Sequence, residues 1–407
     1  MSKLLVMQSG GPTAVINSTL AGIIKIGADA VKSGAIDGVL GALNGIDGVI
    51  SSRYTDLLQS TCNGNIDMLY SLSCTPAMAL GSCRRPLPSD LNDPLYDTII
   101  KSLVEADVKY TVIIGGNDSM DTVMKLSAAA YARSAALYFN GAVKTVDNDL
   151  NCTYFSPGYG SAAKYIGISM LEIIRDAEIY NVKSLTVVEV MGREAGWLGA
   201  AAALPHAFGN TAPHLVYLPE RTFSFDGFVA DVKREFETHN NVIAVVCEGI
   251  KTADGKYAAE GNMSGAVDAF GHAYLSGIGK VLENFAQKTI SCKARSIELN
   301  VLQRSAAHAM SETDRSCAWR VGEDAALKTL ECVGGLTAVI GSINPCVIKM
   351  ADISEVANYI RCVPDDYINE SGNMVTNSAI DYILPLIQGE VGVKYCNGLP
   401  KHFSLTV

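Results

Sequence analysis

The chain has 407 residues, of which 48% are hydrophobic and 18% are charged, and its formal net charge is −10. These values are typical of an ordered globular protein with room for two domains, and they exclude a disordered chain. The acidic balance argues against a nucleic-acid partner. It does not exclude small anionic substrates, because a few lysines and arginines in a cleft can reverse the local potential.

Signals for targeting are missing from the sequence. The first residues reach Gly10 and Pro12 too soon for a signal peptide, and no apolar run reaches the ~18–20 residues of a membrane span. Eleven cysteines are scattered singly without a CxxC pair, which indicates reduced thiols and argues against structural zinc. We therefore expect a cytoplasmic protein that does not associate with membranes.

Short apolar runs alternate with amphipathic stretches along the chain. The sequence predicts strands and helices in alternation: a strand over Lys3–Gln8, a helix over Ile16–Lys32, a strand over 112–114, a helix over about 120–132, strands over Ser184–Val190 and 242–246, and a helix that Ser311 and Asp314 cap and that runs to about Cys332. This alternation is typical of βαβ units. We expect an α/β fold with parallel sheets covered on both faces, and ligands beyond the carboxyl ends of the strands.

Two glycine loops follow predicted strands. The phosphate loop, residues 9–13 (SGGPT), can bring backbone N–H groups to a phosphate at a helix N-terminus, although glycine turns after strands are common. The donor loop, residues 115–120 (GGNDSM), suits a phosphate and its Mg²⁺, with a helix cap by Asp118 or Ser119 as the alternative. No GxxxxGK[ST] occurs, which excludes a P-loop.

The base loop, residues 144–149 (KTVDND), is the most informative segment. Two carboxylates lie two residues apart, and a lysine lies three residues before the first. That arrangement suits a proton acceptor in a phosphate-rich site. A solvated turn is the alternative, because Asp and Asn dominate turns.

Later loops add arginines and an acid at strand ends. Residues 191–197 (MGREAGW) follow one predicted strand, Glu248 follows another, and Arg295 and Arg304 come next. An arginine in such a loop can clamp a phosphate, although each arginine alone is more often a surface residue. Residues 158–163 match GxGxxA, but they follow a polar, proline-containing stretch and no strand, so we do not expect NAD.

Taken in order, these segments resemble the phosphofructokinase family over residues 3 to about 310. They are SGGPTAVIN, GGNDS, KTVDND, VVEVMGREAGW, CEG and the group of Arg295 and Gln303-Arg304. The resemblance implies an α/β protein of two interleaved domains with three-layer, mainly parallel sheets. Residues of about 1–160 plus 305–360 would bind the donor phosphates, and about 161–304 plus 361–407 the sugar phosphate. The implied reaction is a glycolytic one, phosphorylation of fructose 6-phosphate at its 1-hydroxyl with Mg²⁺, in a homodimer or other homo-oligomer.

The same resemblance implies roles for individual residues. Asp147 is the general base and Asp149 its companion, and Lys144, Asp118 and Arg193 complete the catalytic set. The sugar phosphate would contact Thr145, Val146, Asp147, Met191, Gly192, Arg193, Glu248 and Val301, with Arg295 and Arg304 on its 6-phosphate. The donor phosphates would contact Gly10, Gly11, Arg84, Gly116 and Ser119. Asn117 and Asp118 are the implied metal ligands.

Two positions favour pyrophosphate over ATP as the donor. Members that use ATP resemble GGDGS and GTIDND, with glycines where this chain has Asp118 and Lys144. A carboxylate at Asp118 would lie where the α-phosphate of ATP must lie, and close like charges cost several kcal/mol. Lys144 can stabilise the charge on a pyrophosphate leaving group.

Three positions depart from the family pattern. Asn117 replaces an acid and is a weaker Mg²⁺ ligand, and Val301 stands where many members have a histidine or tyrosine. Ser184 falls where an arginine often reaches the neighbouring subunit's sugar phosphate, a role open to Lys183. The alternatives are an ATP-dependent 6-phosphofructokinase and, in a different class, a non-catalytic sugar-phosphate-binding regulatory subunit. A pure binder has no need of the base Asp147.

Overall fold

The computed structural model describes residues 2–179, 181–260 and 277–405. Within this part of the chain the strands, in chain order, are β1 (Lys3–Gln8), β2 (Gly38–Ala42), β3 (Tyr54–Asp56), β4 (Val108–Gly115), β5 (Tyr138–Val143), β6 (Ser184–Val190), β7 (Leu215–Tyr217), β8 (Asn241–Cys247), β9 (Lys293–Glu298), β10 (Leu336–Ile343), β11 (Cys346–Asp352), β12 (Tyr395–Cys396) and β13 (Leu399–Pro400).

The α-helices of the same residues are α1 (Ile16–Lys32), α2 (Ile46–Ile50), α3 (Leu57–Ser60), α4 (Ile66–Ser73), α5 (Pro94–Glu105), α6 (Asn117–Ala132), α7 (Tyr159–Glu178), α8 (Trp197–Ala201), α9 (Phe225–Glu235), α10 (Ile278–Thr289), α11 (Leu302–Ser305), α12 (Glu312–Leu330), α13 (Ile353–Val356) and α14 (Asn377–Ile383). Short 3-10 turns lie at Leu204–Phe208, Ala307–Ala309, Asp365–Tyr367 and Leu384–Ile387. None of these helices combines the length and apolar character that a membrane crossing requires.

The described strands form two large sheets and a short hairpin, β12-β13. The first sheet has the order β11-β10-β5-β4-β1-β2-β3 and is parallel except for its edge strands β3 and β11. The second has the order β7-β8-β6-β9 and is parallel throughout. In the first sheet the chain moves from β1 to β2 in one direction and from β4 to β5 in the other. Ligands of open α/β sheets bind at such a reversal, here between β1 and β4.

Continuous apolar runs form the central strands of both sheets. Every residue of β1 after Lys3 is buried, and so is every residue of β6 after Ser184. A parallel strand with helices on both faces has no solvent face, which is why these runs do not alternate with polar residues. The predictions of a strand over Lys3–Gln8, a helix over Ile16–Lys32 and a strand over Ser184–Val190 are confirmed to the residue.

Helices cover the first sheet as a three-layer arrangement. Because crossovers between parallel strands are right-handed, α1 after β1 and α6 after β4 lie on opposite faces. The helix α12 packs on α1 at unusually short range: a Cβ on Gly22 would lie 2.1 Å from the carbonyl oxygen of Trp319, and one on Gly322 would lie 2.1 Å from that of Thr19. The predicted cap is confirmed, since Ser311 Oγ accepts the Asp314 N–H at 3.4 Å. The predicted α/β fold class is confirmed.

The division into two interleaved domains stays a prediction. The first sheet takes its strands from residues 3–143 and 336–352, and the second takes them from residues 184–298. The segment that follows β11 hydrogen-bonds to the second sheet, where the Val216 N–H donates to the Asn373 carbonyl at 2.8 Å. The chain then returns, because the Phe403 N–H donates to Thr75 Oγ1 at 2.8 Å.

Candidate active site

The phosphate loop and the donor loop lie side by side at the reversal of strand order. The Ser9 N–H donates to the Ile114 carbonyl at 3.0 Å, which joins the ends of β1 and β4. Gly10 has a φ of 79°, a conformation that favours glycine. Gly115 has no room for a side chain either, since a Cβ there would lie 2.0 Å from Ser119 Oγ. The main chain of the phosphate loop and the donor loop can therefore approach a ligand in this crevice closely.

The base loop leaves β5 beside the donor loop. The Lys144 N–H donates to the Gly115 carbonyl at 2.9 Å, and the buried Thr145 hydroxyl accepts the Asp147 N–H at 3.1 Å. Asn148, between the two aspartates, has a φ of 54°, which is uncommon for a residue with a side chain. The Asn148 side chain accepts the Ser156 N–H at 2.9 Å and so holds this turn from within.

Asp314, in the first turn of α12, holds the start of α7, which is joined to the base loop where the Thr145 N–H donates to the Pro157 carbonyl at 3.2 Å. Its two carboxylate oxygens accept the N–H groups of Gly158 at 2.9 Å and Ser161 at 2.8 Å, at the start of α7. Burial raises the pKa of Asp314 to about 6, although these hydrogen bonds oppose the rise. The GxGxxA segment is therefore a helix start that a carboxylate caps, and no strand leads directly into it.

The loops of the second sheet are hydrogen-bonded to one another. The Gly249 N–H donates to the Gly192 carbonyl at 3.1 Å, and the Glu248 N–H donates to the Val190 carbonyl at 3.0 Å. A Cβ on Gly249 would lie 1.9 Å from the Arg193 carbonyl, so only glycine fits. The Met191 N–H donates to Gln303 Oε1 at 3.4 Å, which brings the segment that carries Arg304 to the same place.

Three cationic side chains converge where the two groups of loops meet. Lys144 Nζ donates to the Gly11 carbonyl at 2.7 Å, and Arg304 Nη1 lies 3.7 Å from where a Cβ on Gly11 would be. Arg193 and Arg304 both act electrostatically on Asp147. Burial lowers the pKa of Lys144 to about 8, although Asp147 and Asp149 oppose the fall.

Three carboxyls face these cations, and the pKa of each is raised. Burial raises the pKa of Asp147 against the lowering effects of Arg193, Lys144 and Arg304. Burial and the charge of Asp147 together raise the pKa of Asp149 to about 7, and the same two causes raise that of Glu248 to about 8. A carboxyl with a raised pKa is a stronger base near neutral pH, as proton abstraction from a hydroxyl requires.

Several polar atoms of this cluster are buried without a hydrogen-bond partner among the described residues. They are Arg193 Nε, Arg304 Nε and Asp149 Oδ1. Buried polar atoms are normally paired, so unpaired ones at one place indicate a missing ligand. Guanidinium N–H groups match phosphate oxygens in geometry and charge.

The predicted metal ligands do not form a metal site on their own. Asn117 Oδ1 accepts the Asn358 N–H, and its Nδ2 donates to the Tyr359 carbonyl at 2.6 Å. The amide is thus engaged by backbone at both ends, which weighs against Asn117 as a ligand. No group of three His, Cys, Asp or Glu side chains in the described residues could hold a metal. The unpaired Asp149 Oδ1 fits a cation better, as one carboxylate ligand of an Mg²⁺ that keeps mainly water and phosphate oxygens.

The remaining predicted residues divide into those near the cluster and those away from it. Arg84 lies close enough to act electrostatically on Lys144 and Arg304. A Cβ on Gly116 would lie 3.5 Å from the Lys144 carbonyl, and Val146 is a buried residue of the base loop. Val301 is 50% exposed at the start of α11, the helix that carries Arg304.

Arg295 is not part of the cluster. It pairs with Thr186 in the middle of β6, about 16 Å along the strand from Met191 at ~3.3 Å per residue. Its guanidinium contacts Asp176 at 2.5 Å and Thr186 Oγ1 at 3.1 Å. Within one chain, Arg295 therefore does not reach a sugar phosphate bound at Asp147.

Arg361, a residue that no sequence pattern singles out, lies against the base loop. Arg361 donates hydrogen bonds to the Asn148 carbonyl from Nη2 at 2.9 Å and from Nε at 3.2 Å. No motif surrounds Arg361, and 213 residues separate it from Asn148.

Comparison with known proteins decides the family. A model of the family described as Phosphofructokinase matches residues 3–328. The chain belongs to the phosphofructokinase family. Its curated relatives include the "Pyrophosphate--fructose 6-phosphate 1-phosphotransferase" of Xanthomonas campestris, 37% identical over 99% of this chain and 96% of the relative, and that of Halomonas elongata, 36% identical over 97% and 94%. Among solved phosphofructokinases, the pyrophosphate-dependent enzyme of Marinobacter aquaeolei superposes with a TM-score of 0.85 at 31% identity, covering 100% of this chain and 96% of that one.

Proposed function

We propose that this phosphofructokinase transfers a phosphoryl group from pyrophosphate to the 1-hydroxyl of fructose 6-phosphate, giving fructose 1,6-bisphosphate and orthophosphate, and that the reaction is reversible. The observation that carries the proposal is the contact between Lys144 Nζ and the Gly11 carbonyl. It places a buried ammonium group at the phosphate loop and beside the base Asp147. The pyrophosphate-dependent relatives support the same donor.

The residues divide the reaction between them. Asp147 takes the proton of the 1-hydroxyl as the new O–P bond forms and the bridging O–P bond of pyrophosphate breaks. In the reverse direction the protonated Asp147 returns it. Arg304 offers an unpaired N–H group to the 6-phosphate of the sugar, and Arg193 offers one to the sugar and the transferred phosphoryl group. Glu248 accepts hydrogen bonds from sugar hydroxyls. Most of the rate enhancement in such transfers comes from positioning and charge stabilisation.

Lys144 and Asp118 act on the donor. The ammonium group of Lys144 stabilises the negative charge that develops on the leaving phosphate. Asp118 lies exposed in the first turn of α6, where a carboxylate offsets the positive end of the helix dipole. An α-phosphate of ATP would therefore meet an acidic helix start. Mg²⁺, held by pyrophosphate oxygens with Asp149 or Asp118, would neutralise phosphate charge.

The position of Arg295 supports a homo-oligomer, which is part of the proposal. Arg295 lines one cavity with Val182, Ser184 and Lys293, at the edge of the molecule where the family pattern places a residue that serves the neighbouring subunit. The helix α7 nearby exposes the apolar side chains of Ile168 and Leu171. Lys183 lies over the Phe236 ring instead, at 5.6 Å, so Lys293 is better placed than Lys183 to assist Arg295. The reduced cysteines suit the cytoplasm.

One assay tests the donor and the acceptor together. Purified protein, fructose 6-phosphate and Mg²⁺ are incubated with pyrophosphate or with ATP, and fructose 1,6-bisphosphate is measured through aldolase and oxidation of NADH. We expect turnover with pyrophosphate and little or none with ATP. A preference for ATP would overturn the donor, and turnover with neither would overturn the reaction.

A further inference from the structure

Residues 358–361 contact two loops of the active site. In the sequence they lie beyond residue 328, where the match to the family ends. This segment, which we call the strap, follows the short helix α13. It contacts the donor loop with its first residues and the base loop with its last.

The strap holds the donor loop through Asn117. The Asn358 N–H donates to Asn117 Oδ1, and Asn117 Nδ2 donates to the Tyr359 carbonyl at 2.6 Å. Asn358 Nδ2 also donates to Asp121 Oδ1 on α6, at 3.2 Å. An amide side chain accepts at its oxygen and donates at its nitrogen, as these two contacts require. An aspartate at position 117 would place a carboxylate against the Tyr359 carbonyl with no proton between them.

The strap holds the base loop through Arg361. The Arg361 N–H donates to the Asp149 carbonyl at 2.8 Å. Its guanidinium donates to the Asn148 carbonyl through two nitrogens, and to the carbonyls of Thr153 at 2.5 Å and Tyr154 at 3.1 Å. Four carbonyls of one loop thus converge on one residue. Since the guanidinium has five donors in a rigid fork, it can satisfy three of these carbonyls together, and the main-chain N–H satisfies the fourth, so that Arg361 fixes their relative positions.

Arg361 is itself held on its other side. Its guanidinium lies 5.0 Å from the centre of the Trp197 ring, and Trp197 Nε1 donates to the Arg361 carbonyl at 2.9 Å. Trp197 begins α8, directly after the loop that carries Arg193. The strap therefore connects the donor loop, the base loop and the loop of residues 191–197 that carries Arg193.

We propose that the strap sets the geometry of the two catalytic loops, with Arg361 as a positioning residue for Asp147 and Asp149 and with Asn117 as the anchor on the donor side. The guanidinium of Arg361 donates to backbone carbonyls and to the Tyr382 hydroxyl at 3.3 Å, so it does not bind substrate. Its contacts keep Asn148 in its left-handed conformation, which turns the two flanking carboxylates towards one site. The asparagine of the donor loop serves this contact and not metal binding.

The test compares Arg361→Ala, Arg361→Lys and Asn117→Asp with Arg320→Ala. Arg320 is the matched control, because its guanidinium also donates to a backbone carbonyl, that of Cys346, but on a hairpin away from the loops. We expect Arg361→Ala to lower kcat with pyrophosphate by about 10²-fold, the scale of an ~1 Å misplacement, with KM for fructose 6-phosphate nearly unchanged. Methylguanidinium should restore part of that kcat and methylammonium should not. Arg361→Lys, which keeps the charge without the fork, should fall between Arg361→Ala and wild type, and Arg320→Ala should match wild type.

A second readout does not depend on activity, since the kinetic arm rests on the proposed function. Amide hydrogen exchange should become faster in peptides covering residues 145–155 in Arg361→Ala, and in peptides covering residues 117–121 and 357–360 in Asn117→Asp. If the wild-type protein has no activity with pyrophosphate, the proposed function is wrong, but the hydrogen-exchange experiment still tests the role of the strap. The proposed role of the strap is refuted if Arg361→Ala keeps kcat within about threefold of wild type, or if amide exchange in its base loop is unchanged. It is also refuted if Arg361→Ala melts like wild type and methylguanidinium does not restore its kcat. Should Arg361→Ala not fold, Arg361→Lys and Asn117→Asp decide by the same criteria.

Discussion

Replacing Lys144 with methionine removes one charge from the site and keeps the shape of the side chain. Lys144 is 2% exposed, and its ammonium group donates to the Gly11 carbonyl at 2.7 Å. Methionine is unbranched and adapts to the space that the lysine stem occupies. The substitution therefore tests the charge and not the packing of the base loop.

The size of the effect follows from the burial of the ammonium group. Its pKa falls from 10.5 to about 8, so the folded protein keeps the charge at a cost of about 3 kcal/mol. An anion at the phosphate loop would offset that cost. Losing one preorganised donor of positive charge from an active site lowers kcat by ~10²–10³-fold. We expect that loss with pyrophosphate, and no loss of thermal stability, because the cost of burying the charge also disappears.

The pH dependence gives a second, signed expectation. Lys144 lowers the pKa of both Asp147 and Asp149. Without it these pKa values rise, so the carboxylates ionise at higher pH and the acid limb of kcat/KM should move to higher pH. The assay is the aldolase-coupled measurement of fructose 1,6-bisphosphate across pH, with melting temperature recorded on the same samples.

Lys164→Met is the matched control. Lys164 is also buried, and its Nζ donates to the carbonyl of Gly389 at the same 2.7 Å, but it pairs with Glu390 away from the loops. We expect Lys164→Met to keep kcat with pyrophosphate. If Lys144→Met loses less than about tenfold in kcat, or if both substitutions lower it equally, the role assigned to the Lys144 charge is wrong.

Other substitutions test the remaining roles. Asp147→Asn should lower kcat by ~10²–10⁴-fold with fructose 6-phosphate affinity largely kept, measured by steady-state kinetics and by binding; a kcat near that of wild type would contradict it. Arg304→Ala should raise KM for fructose 6-phosphate more than KM for pyrophosphate, and the reverse would assign Arg304 to the donor. Asp118→Gly should permit turnover with ATP in the coupled assay, and an unchanged donor preference would refute the role of Asp118. Asp314→Asn should reduce the free energy of unfolding in urea by about 1–3 kcal/mol, because a buried N–H at the start of α7 loses its acceptor; unchanged stability would show that α7 does not depend on this cap.

Much of the fold and the positions of the phosphate, donor and base loops follow from local sequence patterns. The bounds of β1, α1 and β6 could be read directly, because continuous apolar runs and helical periodicity are properties of neighbouring residues. The phosphate, donor and base loops could be placed at one sheet edge for the same reason. Their meeting at a reversal of strand order is a consequence of parallel topology.

The rest depends on contacts between distant parts of the chain. Arg361 and Asn148 are separated by 213 residues, and Asn117 and Tyr359 by 242. No periodicity or turn residue near 358–361 indicates such contacts. The predicted site residue Arg295 shows the opposite case: it lies in a segment that resembles the family, but it stands in the middle of the edge strand β9 and not at the strand's carboxyl end.

The electrostatics of the cluster resolve an apparent conflict between the protein and its substrates. The chain carries a net charge of −10, yet its site must take up two phosphate-bearing anions. Lys144, Arg193 and Arg304 face Asp147, Asp149 and Glu248, so a simple count of the six groups gives neutrality. Because burial and the charge of Asp147 raise the pKa values of Asp149 and Glu248 to about 7 and about 8, those two carboxyls are partly protonated near pH 7 and the cluster is net positive. This local positive charge favours the binding of phosphates. Asp147 can accept the proton of the 1-hydroxyl when its own carboxyl is ionised.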